Sequence, residues 1–109
     1  EQHEDYRLIA QKIDLQDANT IKNLCFSLKN EPDLIALLAT NVNQKAGLHL
    51  VVNQNLTTSK GWKANELIRP LAAHINGGGG GQPDYASAGG TNASGLTEAL
   101  TQFRNILQK

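Results

Sequence analysis

The sequence predicts one small α/β domain over residues 1–109, with a mixed β-sheet, packed helices and the order β-α-β-β-α-loop-(β)-α. Three observations predict this class. Two apolar runs, at residues 34–39 and 48–52, have the length and composition of buried strands. Helical spacing of apolar residues recurs before and after these runs. A chain of 109 residues has room for one domain with a modest core.

The first two elements are a strand and an amphipathic helix. Residues 6–13 have the length and composition of a strand. Asp17 offers an N-cap oxygen to a segment whose apolar residues recur at helical spacing, namely Ile21, Leu24, Cys25 and Leu28. This stripe predicts that Cys25 is a small core residue. Pro32 ends the helix, because a proline disfavours helical backbone at the residue before it.

The next two elements are strands of one hairpin. Residues 34–39 are an unbroken apolar run, which predicts a strand covered on both faces in the middle of the sheet. A turn-rich segment at residues 41–47 joins this strand to the one at residues 48–52. So short a link predicts antiparallel pairing.

Two more helices are predicted in the second half of the chain. From Ala64, helical spacing is kept by Leu67, Ile68, Leu71, Ala72 and Ile75. Pro70 lies inside this pattern and predicts either a bend or a helix that starts close to it. Residues 85–88 predict a short edge strand. The last helix, with its stripe from Leu96 to Leu107, is expected to be capped by Asn92 or Ser94.

The most informative segment is a glycine-rich stretch between these two helices. It contains seven of the ten glycines: Gly77, Gly78, Gly79, Gly80, Gly81, Gly89 and Gly90. Successive glycines can adopt left-handed conformations and turn several N–H groups toward one point, which is how a main chain holds phosphate. We therefore expect a phosphate-binding loop that extends to Gln82. A flexible linker fits less well, because Pro83 and Asp84 predict an ordered turn that Asp84 caps.

A basic pair surrounds the single tryptophan just before the helix that leads to the glycines. Lys60 and Lys63 flank Trp62, a combination that can stack on an unpaired base and contact its phosphate. Trp62 can equally be a core residue, and the sequence favours that reading because the chain contains few aromatic residues.

Composition limits the function further. Ten basic and ten acidic residues cancel, so any contact with nucleic acid is local. A single cysteine excludes an internal disulfide and suits a cytosolic protein. No apolar stretch has membrane-spanning length, and a chain without methionine is expected to be a piece of a larger protein. His3, His49 and His74 share no ligand spacing with one another or with Cys25, so we expect no metal. The sequence offers no Ser/His/Asp order and no carboxylate pair, so we expect no catalytic residue and no cofactor in this chain.

Three segments carry a resemblance to a known family: KGWKANELI at residues 60–68, the glycine-rich stretch at residues 77–90 and TNA at residues 91–93. Together they resemble the C-terminal domain of alanyl-tRNA synthetases, a module shared with the DHH phosphodiesterases. The phosphodiesterase version usually carries a histidine just after its glycines, where this chain has Gln82, Pro83 and Asp84. That difference favours the synthetase branch.

The resemblance implies a domain that binds alanine-specific tRNA at its elbow and links aminoacylation with editing in a cytoplasmic ligase. The implied RNA contacts are Lys60, Trp62, Lys63, Gly77–Gly81, Gln82, Gly89 and Gly90. The implied partners are tRNA and the other domains of the parent chain, with a homodimer as a further option. Two alternatives stay open: a dimerisation or docking module without RNA affinity, and the substrate-clamping domain of a DHH-type phosphodiesterase.

Overall fold

The computed structural model describes residues 6–13, 18–42 and 45–107, and these ranges contain five strands and four α-helices. The strands are β1 (Arg7–Lys12), β2 (Leu34–Val42), β3 (Lys45–Val52), β4 (Gly77–Gly81) and β5 (Tyr85–Gly90). The helices are α1 (Ala18–Lys29), α2 (Gln54–Lys60), α3 (Ala64–Ala73) and α4 (Leu96–Leu107), and a 3₁₀ turn at Ala93–Gly95 precedes α4.

All five strands form one mixed sheet in the order β1-β2-β3-β5-β4. β1 and β2 pair in parallel because α1 carries the chain back to the start of the sheet between them. The other three pairs are antiparallel. β2–β3 and β4–β5 are consecutive in the chain, whereas α2, α3 and β4 lie between β3 and β5. The predicted α/β class with a mixed sheet is therefore confirmed.

The sheet separates two hydrophobic cores. One face packs against α2, α3 and α4, where β-strand residues such as Leu37 and Leu50 meet Ile68 and Phe103. The opposite face is covered by α1, which contributes Ile21 and the buried Cys25 to a smaller core. α1 packs mainly on β2 and β3, and Tyr85 at the start of β5 also packs against this smaller core.

Several local predictions are confirmed. β2 is buried on both faces and pairs with β1 and β3. The β2–β3 hairpin is antiparallel, α4 has the predicted bounds, and Cys25 is a core residue. The expected N-cap at Asp17 lies outside the described residues.

The prediction of a loop at Gly77–Gly81 is wrong, because these five glycines form strand β4. The predicted edge strand near residue 85 is also displaced: β5 lies inside the sheet, between β3 and β4, and β4 occupies the edge. A polyglycine segment has no side-chain pattern from which a strand could be predicted, and its strand conformation comes from pairing with β5.

The helices differ from prediction in three places. The short helix α2 was not predicted, since its polar sequence QNLTTSK buries only Leu56. α3 starts at Ala64 as expected, but Pro70 lies three residues before its end and not near its start. Neither predicted cap of the last helix is made: the Asn92 side chain donates to the His74 carbonyl oxygen, and Ser94 donates to Asn92.

Candidate nucleic-acid interface

The glycines of β4 fall into two alternating sets. A Cβ atom added at Gly77, Gly79 or Gly81 would overlap the β5 main chain, at the carbonyls of Gly89, Ser87 and Tyr85 respectively. These three positions therefore need glycine so that β4 can lie close to β5. A Cβ atom at Gly78 or Gly80 would meet nothing within 4 Å.

The second set belongs to a surface that we call the bare face, formed by Gly78, Gly80 and Gly89. The register places Gly78 opposite Gly89 and Gly80 opposite Ser87. A Cβ atom at Gly89 would have its nearest neighbour, the Ala46 carbonyl oxygen, at 3.9 Å. All three glycines are exposed and carry no side chain, so a ligand can approach the main chain of the sheet closely there.

The bare face is extended backbone and not the predicted left-handed cradle. Within the glycine run only Gly81 has a positive φ, of 157°, so Gly79 and Gly80 do not adopt the left-handed conformation. Gly90 is a packing residue, because a Cβ atom there would overlap the carbonyl of Ile75. Gln82 is exposed in the turn after β4, where its N–H donates to the Tyr85 carbonyl oxygen at 2.8 Å.

The segment around the tryptophan is tied to this turn. The Ala64 N–H donates to the Pro83 carbonyl oxygen at 2.8 Å. Trp62 is half-buried, packs against the larger core and meets the Tyr6 ring edge-on, with ring centroids 5.0 Å apart. This geometry supports the core interpretation of Trp62. The Lys60 ammonium lies 5.9 Å from both ring centroids, and Lys63 pairs with Glu66 at 3.8 Å.

Behind the bare face, His49 occupies the position on β3 opposite Ser87. Its Nδ1 atom is buried and has no hydrogen-bond partner among the residues that the structure describes. Burial lowers the pKa of His49 below its usual value of 6.5, because the protonated ring would be poorly solvated there. The His49 side chain is therefore neutral at physiological pH.

Sequence reasoning missed one exposed group on α1. Lys22 and Lys29 lie on either side of Phe26, with their ammonium nitrogens 5.6 and 5.1 Å from the ring centroid. Their spacing of i, i+4 and i+7 places all three on one side of the helix, and this spacing was the available signal.

The described ranges contain no group of three or more His, Cys, Asp or Glu side chains that could hold a metal ion. None of the helices in these ranges is both long enough and apolar enough to cross a membrane.

Together, the mixed sheet, the glycine edge strand and its bare face define a class: a small α/β domain with exposed main chain that carries no side chains at one edge of its sheet. The DHHA1 domain family model matches residues 5–109 of this chain. The chain belongs to the DHHA1 domain family.

Similar proteins agree with this assignment. The chain is 35% identical over 105 residues to an alanine–tRNA ligase of Cytophaga hutchinsonii, a match covering 95% of this chain and 12% of that protein. It is 40% identical over 101 residues to an alanine–tRNA ligase of Christiangramia forsetii, covering 92% of this chain and 12% of that protein. The chain therefore spans about an eighth of the length of these relatives.

Among solved structures, the chain is similar to the C-Ala domain of Aquifex aeolicus alanyl-tRNA synthetase. That crystal structure superposes with a TM-score of 0.87 at 23% identity, covering 100% of this chain and 97% of the other. The resemblance to the C-terminal domain of alanyl-tRNA synthetases is thus confirmed, and the two domains share a fold.

Proposed function

We propose that this domain binds tRNA as the C-terminal domain of an alanyl-tRNA synthetase. It would hold the tRNA elbow and so keep one alanine-specific tRNA available to aminoacylation and to editing. Family membership and the names of the relatives support this proposal. The structural observation that carries it is the bare face, where a large ligand can approach exposed main chain at Gly78, Gly80 and Gly89.

The bare face suits the backbone of a folded RNA. Phosphate oxygens accept hydrogen bonds from main-chain N–H groups, and the edge strand β4, beside the bare face, has alternate N–H groups that point away from β5. Such contacts need no excess of positive charge, which agrees with ten basic and ten acidic residues in the chain. Gln82 lies in the turn after β4, and Lys60 precedes the 61–64 segment, which is hydrogen-bonded to that turn. Both side chains would add local contacts at this end of β4.

The remaining roles follow from the proposed parent protein. The parent would be a cytoplasmic alanine–tRNA ligase, and this domain would contribute RNA binding with no catalytic group and no cofactor. Its partners would be alanine-specific tRNA and the other domains of the parent chain. A homodimer is compatible with this arrangement.

The two sets of glycines allow a sharp test. Gly80→Val adds a side chain into open space, in a strand that tolerates β-branched residues, so we expect the domain to remain folded. Because the new side chain stands on the bare face, tRNA binding should weaken by about tenfold or more. Binding is measured by fluorescence anisotropy with labelled alanine-specific tRNA, and stability by urea denaturation.

Gly79→Val is the matched control, since its side chain would overlap the carbonyl of Ser87. It should lower the free energy of unfolding by about 1 to 3 kcal/mol, as overpacked sites do. If the Gly80→Val protein is folded and binds tRNA as tightly as the unchanged chain, the RNA does not approach the bare face. If the unchanged chain does not bind tRNA at all, the docking module without RNA affinity becomes the better assignment.

A further inference from the structure

Helix α1 presents an exposed aromatic ring between two cations. Phe26 is 40% exposed and is the only large apolar side chain exposed among the described residues. The Lys22 and Lys29 ammonium groups lie 5.6 and 5.1 Å from its ring centroid. On the sheet side, the Tyr85 ring packs against it at an angle of 63°, with centroids 5.8 Å apart. The ring is therefore in contact with the sheet and remains partly exposed to solvent.

Next to this ring lies an open cavity of about 580 Å³ between the end of α1, helix α2 and the turn after β4, with a wall that is about equally polar and apolar. It is lined by Lys29, Gln54, Thr57, Thr58, Gln82 and Asp84, together with Pro83. Its volume is in the range of small-molecule sites, which is about 300 to 1,000 Å³. Two amide side chains and two hydroxyls supply both donors and acceptors, the groups that pair with the edges of nucleobases.

Lys29 joins the ring and the cavity into one surface. Its ammonium contacts the Phe26 ring and also pairs with the Asp84 carboxylate at 3.3 Å, on the cavity wall. The Thr57 hydroxyl oxygen is buried at this wall and has no hydrogen-bond partner within the described part of the chain. The surface thus combines an aromatic ring, positive charge and the amide side chains of Gln54 and Gln82.

We propose that this surface binds a single-stranded segment of RNA. One base stacks on Phe26, Lys22 contacts a neighbouring phosphate, and the next base enters the cavity and bonds with Gln54 or Gln82. Nucleic acid is the ligand that this chemistry favours, because Lys22 beside the ring can meet a phosphate and the amides and hydroxyls of the cavity wall can pair with base edges. The inference rests on the proposed function in one respect, which is that RNA is taken as the ligand. Its residues differ from those of the bare face, and the RNA that it concerns is unpaired.

The test uses the 109-residue chain and a fluorescently labelled single-stranded RNA of eight uridines, followed by anisotropy. Phe26→Ala should weaken binding by about tenfold, as expected when one base loses its aromatic platform. Phe26→Tyr keeps the ring and should bind within about twofold of the unchanged chain. Gln54→Leu preserves the size of the side chain and the net charge but removes an amide from the cavity, and it should weaken binding by about threefold.

Lys45, the first residue of β3, provides a control for charge. Lys22→Gln should reduce the salt dependence of octamer binding by about 0.7 in the log–log slope, whereas Lys45→Gln, which removes the same charge far from the ring, should not. Urea denaturation confirms that each variant is folded. Octamer binding that is undetectable in the unchanged chain, or unchanged by Phe26→Ala in a folded protein, overturns the inference.

The outcomes remain distinct from those of the tRNA experiment. Loss of tRNA binding in Gly80→Val with no effect of Phe26→Ala on the octamer contradicts this inference alone. Octamer binding that depends on Phe26, in a chain that does not bind tRNA, contradicts the proposed function and supports this inference.

Discussion

At the scale of single residues, His49 links the stability of the domain to pH. Burial lowers its pKa in the folded state below 6.5, so the unfolded chain binds the proton more tightly. The free energy of unfolding is therefore highest above pH 6.5, where His49 is neutral in both states. It decreases as the pH falls from 6.5 toward the lower pKa of His49 in the folded state, because the unfolded chain is protonated first. The same linkage holds for any histidine that is buried in its neutral form.

We predict that the free energy of unfolding decreases between pH 7.5 and pH 5, and that His49→Gln removes part of this decrease. Glutamine is polar and does not titrate, so only the proton-linked term is lost. Urea denaturation at closely spaced pH values measures both proteins. Identical pH profiles for the two proteins would show that His49 is not the source.

At the scale of elements, helix α2 depends on its connection to α1. Asn53 caps α2 by accepting from the Asn55 N–H at 3.1 Å, and its amide nitrogen donates to the Lys29 carbonyl oxygen at 3.0 Å. One side chain therefore satisfies the start of α2 and the end of α1. Since α2 has seven residues and buries only Leu56, little else holds it in place.

We predict that Asn53→Ala lowers the free energy of unfolding by about 1 to 2 kcal/mol, since it loses both the cap and the bond to Lys29. Asn53→Asp is the matched control, because it keeps the accepting oxygen and loses the donor. Its loss should be smaller, as measured by urea denaturation. Equal losses in the two variants would assign the whole effect to the bond with Lys29.

At the scale of the whole molecule, charge balance limits how RNA can bind. Ten basic and ten acidic residues leave no net charge, and Lys29 and Lys63 are already paired with Asp84 and Glu66. The proposed binding of RNA would therefore rely on main-chain contacts and a few cations. Such a surface releases few counterions when it binds RNA.

We predict a log–log slope of about two to three in magnitude for tRNA binding against salt, since each neutralised phosphate contributes about 0.7 to 0.9. Anisotropy titrations with alanine-specific tRNA over a series of KCl concentrations measure this slope. A slope several times steeper would require a large basic surface and would contradict the placement of the contacts on the bare face.

The sequence by itself determined the elements whose side chains repeat with a clear period. The stripe of α4 predicted that helix to the residue, and the apolar run at residues 34–39 predicted a strand with two covered faces. In both cases the pattern records which side of a regular backbone faces the core. The apolar stripe of α1 placed Cys25 in the core in the same way. The glycines were notable only for their number in one segment.

Only the tertiary structure decided what the glycines do. A polyglycine segment has no side chains and so no period, and its conformation depends on whether a neighbouring strand pairs with it. Pairing with β5 turned the predicted loop into β4 and divided its glycines into Gly79, which packs, and Gly80, which is open. Phe26 and the cavity were likewise outside the reach of local patterns, since they combine α1, α2 and the turn after β4. Contacts between segments distant in sequence depend on the complete fold, and no local period encodes them.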